Sequence, residues 1–249
     1  MKTSSLFFLA AALLLTAPVL VAQTPYTKTF SQDQVVPNRT GWSFWYMPTG
    51  VADTLNIKIS HVDTLMYSHT PHSHTHDELF ILLEGDAILH LNGEETVLHT
   101  GDAMICPSNS SHNIQRTDPD QPICYMVFTQ EARDRSGQQP YPFFKQDYKA
   151  SDCLTRFHKG RSFWYLSPSR TLGGMNVRNV VLRGKKLRKN PAGGQLAYVV
   201  MEGSALITVD GVPVELPANS VCYVPKGTPS SISPVSGPLR YLEVRTSVK

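Results

Sequence analysis

The chain repeats one pattern twice, and this repeat restricts its fold more than any other feature. Residues 41–46 (GWSFWY) return as residues 160–165 (GRSFWY), an offset of 119 positions (160 − 41). Three further echoes have an offset of 118 (201 − 83), so the repeat covers most of the chain and predicts two copies of one structural unit. These echoes are Leu83-Glu84-Gly85 with Met201-Glu202-Gly203, Asn92-Gly93 with Asp210-Gly211, and Pro107 with Pro225.

Each copy has the pattern of short β-strands. In the first copy we expect strands at 79–83, 87–91, 96–99 and 103–106, and in the second at 197–201, 205–209, 214–216 and 221–224. The pairs Asn92-Gly93 and Asp210-Gly211 are typical of two-residue hairpin turns. No long helical period interrupts the strands, so the fold class is all-β, with a sandwich or small barrel in each half.

The first copy contains a cluster of metal-binding residue types. His72, His74, His76 and Glu78 alternate along the chain, and His112 follows 34 residues after the glutamate (112 − 78). On one extended strand, the four alternating side chains would point to the same face and could converge on one ion. The alternative is a solvated histidine-rich loop that binds metal nonspecifically.

The spacing of these residues resembles that of the cupin superfamily. Its first motif is His-x-His, three or four residues, Glu, six residues and Gly, matched here by His72, His74, Glu78 and Gly85. Its second motif is Gly, five residues, Pro and then His, matched by Gly101, Pro107 and His112. The chain departs from the pattern at Met66 and Asn109, where glycines are usual, which affects loop geometry but no ligand.

The resemblance implies two tandem cupin jelly-roll barrels, a bicupin, with one metal site. In the family, the residues matched here by His72, His74, Glu78 and His112 bind a metal. At the offset of 118, these positions become Asn190, Ala192, Leu196 and Ser230, which could not reproduce such a site. We therefore predict a signal peptide at 1–22, an N-terminal metal-binding cupin at 23–130, a linker at 131–152 and a C-terminal cupin without metal ligands at 153–249.

Three imidazoles and one carboxylate would leave about two open positions on an octahedral ion. This donor set favours Fe, Mn or Ni as the divalent transition metal, while Zn and Cu stay open. His76 is a candidate catalytic proton carrier or alternative ligand, unless a bend before Glu78 turns it to solvent. His69 is a weaker candidate, and Asp77, out of phase, is expected at the surface or as an acceptor that orients an imidazole.

Two other patterns have competing interpretations. The aromatic segments 44–46 and 163–165 could stack on a ligand ring, but both copies keep them, which favours packing in the core or between the barrels. The basic run 183–189 (RGKKLRK) could attract an anionic substrate, although a solvated loop is the usual explanation for such a run.

The N-terminus predicts export. Lys2 precedes an apolar run from Leu6 to Val21, which is shorter than a membrane span. The small residue Ala22 follows this run at a plausible cleavage point. We expect a secreted or periplasmic protein without membrane insertion after signal removal. The mature chain of 227 residues (249 − 22) has a formal charge of +2 (3 − 1, without Lys2), which does not suggest a nucleic-acid partner. The sequence leaves open the pairing of Cys106, Cys124, Cys153 and Cys222.

The function predicted from the resemblance is that of an exported metal-dependent bicupin enzyme acting on a small organic substrate. A dioxygenase-type oxidoreductase is favoured, because open metal positions suit dioxygen and substrate together. The alternatives are an isomerase, lyase or aminohydrolase of the same superfamily, or a non-catalytic periplasmic protein that binds a ligand or metal. The resemblance leaves both a homodimer and a compact monomer open.

Overall fold

A computed structural model describes residues 25–52, 54–131, 145–146, 155–157, 159–167, 174–184, 187–190 and 193–246. The described residues form 21 β-strands and one 3₁₀ turn at Gln32–Gln34. No helix among them is long and apolar enough to cross a membrane. The expected signal peptide at 1–22, Cys153 and Ala192 lie outside the described residues.

The first half forms a seven-stranded sheet and a three-stranded sheet. The larger sheet has the order β11-β8-β5-β10-β4-β3-β2, and the smaller has the order β7-β6-β9. The strands that occur between residues 25 and 146 are β1 (Thr27–Thr29), β2 (Val36–Asn38), β3 (Gly41–Met47), β4 (Leu55–Val62), β5 (His76–Glu84), β6 (Asp86–Leu91), β7 (Glu94–His99), β8 (Ala103–Cys106), β9 (His112–Arg116), β10 (Ile123–Glu131) and β11 (Lys145–Gln146).

The second half repeats this architecture. Its seven-stranded sheet has the order β1-β19-β16-β21-β14-β13-β12, and its four-stranded sheet has the order β15-β20-β17-β18. The fold is therefore two tandem cupin-type jelly-roll barrels, as predicted. The remaining strands are β12 (Thr155–Phe157), β13 (Gly160–Leu166), β14 (Met175–Leu182), β15 (Arg188–Asn190), β16 (Gln195–Glu202), β17 (Ser204–Val209), β18 (Val212–Pro217), β19 (Ser220–Val224), β20 (Ser230–Pro234) and β21 (Leu239–Thr246).

Each half takes an edge strand from outside its predicted limits. Strand β1 pairs with β19 of the second half, with Thr27 opposite Cys222. Strand β11, from the predicted linker, pairs with β8 of the first half, with Lys145 opposite Met104. We propose that the barrels otherwise follow the boundaries at 23–130 and 153–249. Strands β1 and β11 thus cover sheet edges that would otherwise expose unpaired backbone groups.

The repeated turn residues have the backbone conformation that their sequence predicts. Asn92 and Gly93 have φ values of 52° and 88°, and Asp210 and Gly211 have φ values of 49° and 80°. Two consecutive positive φ angles are the signature of the tight hairpin turn whose twist matches the flanking strands. Both expected hairpins, β6–β7 and β17–β18, are present in register.

Three apolar cores hold the molecule together. One fills the first barrel and another fills the second. The third lies where the two seven-stranded sheets pack face to face, and it includes Phe44 and Phe163 of the repeated aromatic segments. Packing between the barrels is thus the role of these two rings. Cys106, Cys124 and Cys222 are free and buried.

The core between the barrels gives a stability prediction. Phe44 is buried, while its neighbour Trp45 is 38% exposed. We expect Phe44→Ala to lower the free energy of unfolding by about 3–5 kcal/mol, because it leaves a cavity among apolar groups. Trp45→Ala is the control and should cost less, because this ring is already partly in contact with water. Urea unfolding of both variants measures the difference, and equal losses would contradict this account of the interface.

Candidate metal centre

Backbone hydrogen bonds join the two segments that carry the candidate ligands. His72 and His112 form an isolated antiparallel bridge, with N···O distances of 3.3 and 2.9 Å. The amide of Asn109 donates to the carbonyl of His74 at 2.7 Å. Glu78 lies on β5 and His112 opens β9, so two strands and one loop position the cluster.

Glu78 lies at the centre of the cluster. Its Oε2 is 3.2 Å from Nε2 of His74 and 3.2 Å from Nε2 of His112. His72, His74 and His112 each offer a ring nitrogen, and these three atoms lie within 4.8 Å of one another. Thr129 on β10 donates its hydroxyl to Glu78 Oε1 at 3.3 Å. His74, His76 and Glu78 form a second group with the same spacing, so the predicted ligands lie close together and His76 also has the position of an alternative ligand.

Backbone carbonyls orient two of the imidazoles. Nδ1 of His74 lies 2.9 Å from the carbonyl oxygen of His76, and Nδ1 of His112 lies 2.9 Å from that of Ser110. A carbonyl can only accept, so each Nδ1 carries a proton, and the Nε2 of each ring faces Glu78. Two Nε2 atoms and a carboxylate that converge in this way hold either protons or a metal ion between them, and this donor set fits a divalent transition metal.

The electrostatics of the cluster favour an ionised Glu78. Burial would raise the pKa of Glu78, but hydrogen bonds from His112, His74 and His76 hold it well below its usual range. Burial acts to lower the pKa of His74, and the hydrogen bond and charge of Glu78 outweigh this effect, so the net shift is upward. Burial lowers the pKa of His72, and it lowers that of His69 to about 4. The cluster therefore contains a fixed negative charge on Glu78, with neutral imidazoles at His69 and His72.

The local backbone differs from the single extended strand considered above. Strand β5 begins at His76, and a bend at Thr75 separates it from His72 and His74. The ring of His76 stacks on that of His74, with centroids 3.6 Å apart, and its Nε2 lies 3.6 Å from Glu78 Oε1. His76 thus flanks the carboxylate, its side chain 31% exposed, and it is not part of the cavity wall described below. Its catalytic role stays a prediction.

Asp77 is not a surface residue, which corrects one of the two expectations for it. It is buried, and its carboxylate accepts a hydrogen bond from the backbone amide of Ser108 at 2.9 Å. This contact ties β5 to the loop that leads into His112. The carboxylate of this strand residue satisfies a buried loop amide that would otherwise lack a partner.

A cavity of about 1040 Å³ adjoins the cluster. His69, His72, Glu78 and His112 form part of its wall. The cavity is large enough for a small organic molecule.

Sequence reasoning missed the other polar groups of this cavity. Lys58 and Ser60 on β4 and Tyr125 on β10 line it, together with the apolar Phe80 and Val127. Burial raises the pKa of Tyr125 to about 12, although the hydroxyls of Ser68 and Ser60 act to lower it. No sequence motif contains these residues, so only the alternation of side chains that point into the barrel along β4 and β10 could have indicated them.

The second barrel has no such cluster among its described residues. Asn190 and Ser230, which replace His72 and His112, both contact the hydroxyl of Tyr198. Leu196 replaces Glu78 and is buried. These side chains offer no metal-ligand set.

Comparisons with known proteins agree with the fold. Residues 64–129 match the family model described as "Cupin domain". No curated protein sequence matches the chain. A salicylate 1,2-dioxygenase from Pseudaminobacter salicylatoxidans is similar in structure, with a TM-score of 0.72, 14% identity, and coverage of 90% of this chain and 84% of that one. A mutant of Bacillus subtilis oxalate decarboxylase has a TM-score of 0.71, 15% identity, and coverage of 91% and 78%. At these identities, the likeness shows a shared fold.

Proposed function

We propose that this chain, which belongs to the cupin superfamily and folds as a bicupin, is a metal-dependent enzyme acting on a small organic acid, of dioxygenase type. His72, His74, Glu78 and His112 would hold one divalent transition metal in the first barrel. Such an ion supplies Lewis-acid and redox chemistry at its open positions. The isomerases, lyases and aminohydrolases of the superfamily remain alternatives for the reaction type.

The observation that carries this proposal is the position of the ligand cluster in a cavity wall. His72 and His112 belong to one group of candidate ligands and also line the cavity. A structural metal site is normally closed by protein ligands, whereas a catalytic one keeps a side open to substrate. The cavity adjoining the donors supports the catalytic alternative.

The cavity wall also indicates the class of substrate. Lys58 contributes a cation whose ammonium group lies 5.2 Å from the centre of the Trp45 ring. Burial keeps the hydroxyl of Tyr125 protonated, so it can donate a hydrogen bond to an acceptor on the substrate. Phe80 and Val127 supply apolar surface that excludes water. A small carboxylate with an apolar body matches these groups.

Activity assays with two acids test the proposal. The protein, purified without a tag that binds metal, would be loaded with Fe(II) or Mn(II) and given salicylate or oxalate, the acids named for the neighbours. We expect dioxygen uptake or carbon dioxide release that depends on the added metal and disappears in Glu78→Gln. Tight binding of these acids with no turnover under any metal would contradict the enzyme proposal and favour a binding protein.

Replacing Lys58 should weaken substrate binding without loss of metal. We expect Lys58→Met to raise KM for a carboxylate substrate at least tenfold, because a charge-assisted contact is worth about 1.5–3 kcal/mol. Metal content should equal that of the wild type, because Lys58 belongs to neither group of candidate metal ligands. Steady-state kinetics beside elemental analysis measure both quantities. An unchanged KM would remove Lys58 from the substrate site.

A His76→Ala variant tests the role of that histidine. If His76 carries protons, we expect kcat to fall at least tenfold while metal content and substrate affinity are kept. Loss of metal together with activity would instead make it a ligand or a support for Glu78, whose carboxylate it approaches.

We also propose export to the periplasm or the medium. The support is the N-terminal sequence alone: Lys2, the apolar run from Leu6 to Val21, and Ala22. Sequencing the N-terminus of protein recovered outside the cytoplasm should find Gln23 or a close neighbour as the first residue. Recovery of an uncleaved chain from the cytoplasm would contradict this.

A further inference from the structure

The second barrel has a guanidinium group beside the positions that correspond to the candidate metal ligands of the first. In the first barrel, Glu78 on β5 pairs with Thr129 on β10. In the second, the corresponding pair is Leu196 on β16 and Arg245 on β21. The offset is 118 residues on one strand (196 − 78) and 116 on the other (245 − 129), so a constant offset conceals this equivalence.

Arg245 contacts a residue that replaces a metal ligand. Its Nη2 donates to Oδ1 of Asn190 at 2.6 Å, and Asn190 occupies the position of His72. The same asparagine donates to the hydroxyl of Tyr198, which also contacts Ser230, the counterpart of His112. A fixed positive charge therefore lies among the counterparts of the candidate ligands.

This part of the barrel has an excess of positive charge. Three arginines, Arg178, Arg188 and Arg245, surround the carboxylate of Glu243, which is buried. Arg188 Nε donates to Glu243 Oε1 at 2.8 Å, and Arg178 Nε donates to Oε2 at 3.1 Å. Both carboxylate oxygens are thus taken by these two guanidinium groups. Three cations against one anion leave a net charge of +2.

Arg245 is the arginine without a close counter-ion. Its Nε lies 4.0 Å from Glu243 Oε2, and within the described part of the chain no closer ion pair to Arg245 is formed. Its side chain is 28% exposed, so solvent reaches it. Arg183 and Lys189, from the basic run noted in the sequence, are exposed on the chain segment that includes Arg188. An anion approaching this region would meet positive charge and an available guanidinium group.

We infer that the second barrel binds a small oxyanion, a carboxylate or a phosphate, through Arg245. A guanidinium group presents paired N–H donors that match two oxygens of either anion. The neutral amide of Asn190 positions the guanidinium group of Arg245 and leaves its positive charge without a counter-charge at this contact. The second barrel is then a binding site that recognises negative charge directly, with no metal. This inference is independent of the chemistry proposed for the first barrel.

The test measures binding of inorganic phosphate and of oxalate to the full-length, metal-free protein by calorimetry. Two variants address the site: Arg245→Gln removes the charge, and Asn190→Asp places a carboxylate against it. We expect each variant to raise the dissociation constant at least tenfold. Asn190→Asp should fold normally, because the new carboxylate would pair with Arg245, so it keeps the test decisive if Arg245→Gln is unstable.

A control locates the site. Arg161→Gln removes an exposed arginine of β13 and should bind the anions as the wild type does. Tighter binding of phosphate would assign a phosphate ligand, and tighter binding of oxalate a carboxylate one. Absence of binding in the wild type, equal binding in all variants, or an equal loss in Arg161→Gln would overturn the inference.

Discussion

Replacing His112 with alanine is expected to raise the metal dissociation constant at least a hundredfold and to abolish activity. The His112 side chain is fully buried, and its Nε2 lies 3.2 Å from Glu78 Oε2. Losing a residue that only orients a ligand already costs about 10–100-fold in metal affinity, so loss of a ligand should cost more. Competition with a chromophoric chelator measures the change.

The repeat supplies a matched control for this prediction. Ser230 occupies the position of His112 in the second barrel and is also buried. Ser230→Ala should leave metal affinity unchanged, because no ligand set exists there among the described residues. Equal metal affinity in His112→Ala and the wild type would remove His112 from the site.

The second large effect concerns the stability of the second barrel. We expect Glu243→Gln to lower the free energy of unfolding by about 3 kcal/mol, because Arg178, Arg188 and Arg245 would lose the carboxylate that offsets them. Side chains of Arg178 and Arg188 are 19% and 23% exposed, so partial solvation keeps the cost at the lower end of the range for buried pairs. Urea unfolding measures this quantity.

An exposed ion pair provides the comparison. Glu202 is 66% exposed and lies 2.8 Å from Arg240. Glu202→Gln should cost about 1 kcal/mol or less, as for other surface pairs. A similar small loss in Glu243→Gln would mean that water already solvates the three arginines, and this result would count against a cationic site.

Local patterns in the sequence predicted the strands and turns well. The short apolar runs 79–83 and 197–201 and the turn pairs Asn92-Gly93 and Asp210-Gly211 depend on neighbouring residues alone, and the structure has them as expected. The ligand motif was visible because His72, His74 and Glu78 have a characteristic spacing. These residues converge with His112 because the chain at His72 pairs with the start of β9 in the same barrel.

Long-range pairing was not predictable in the same way. Strand β1 joins the sheet of the other half, and nothing in Thr27–Thr29 specifies a distant partner. Lys58 and Tyr125 line the cavity because strands β4 and β10 pair, although the sequence separates them widely. The guanidinium group of Arg245 was hidden because the repeat offset changes in the last strand.

Elemental analysis of the purified mature protein, prepared without a metal-binding tag, would show whether the first barrel holds a metal. The measurement would be made beside a variant that carries both His72→Ala and His74→Ala. We expect about one equivalent of Fe, Mn, Ni, Zn or Cu per wild-type chain and almost none in the variant. Metal retained by the variant, or absent from the wild type even after reconstitution, would rule out the proposed metal site.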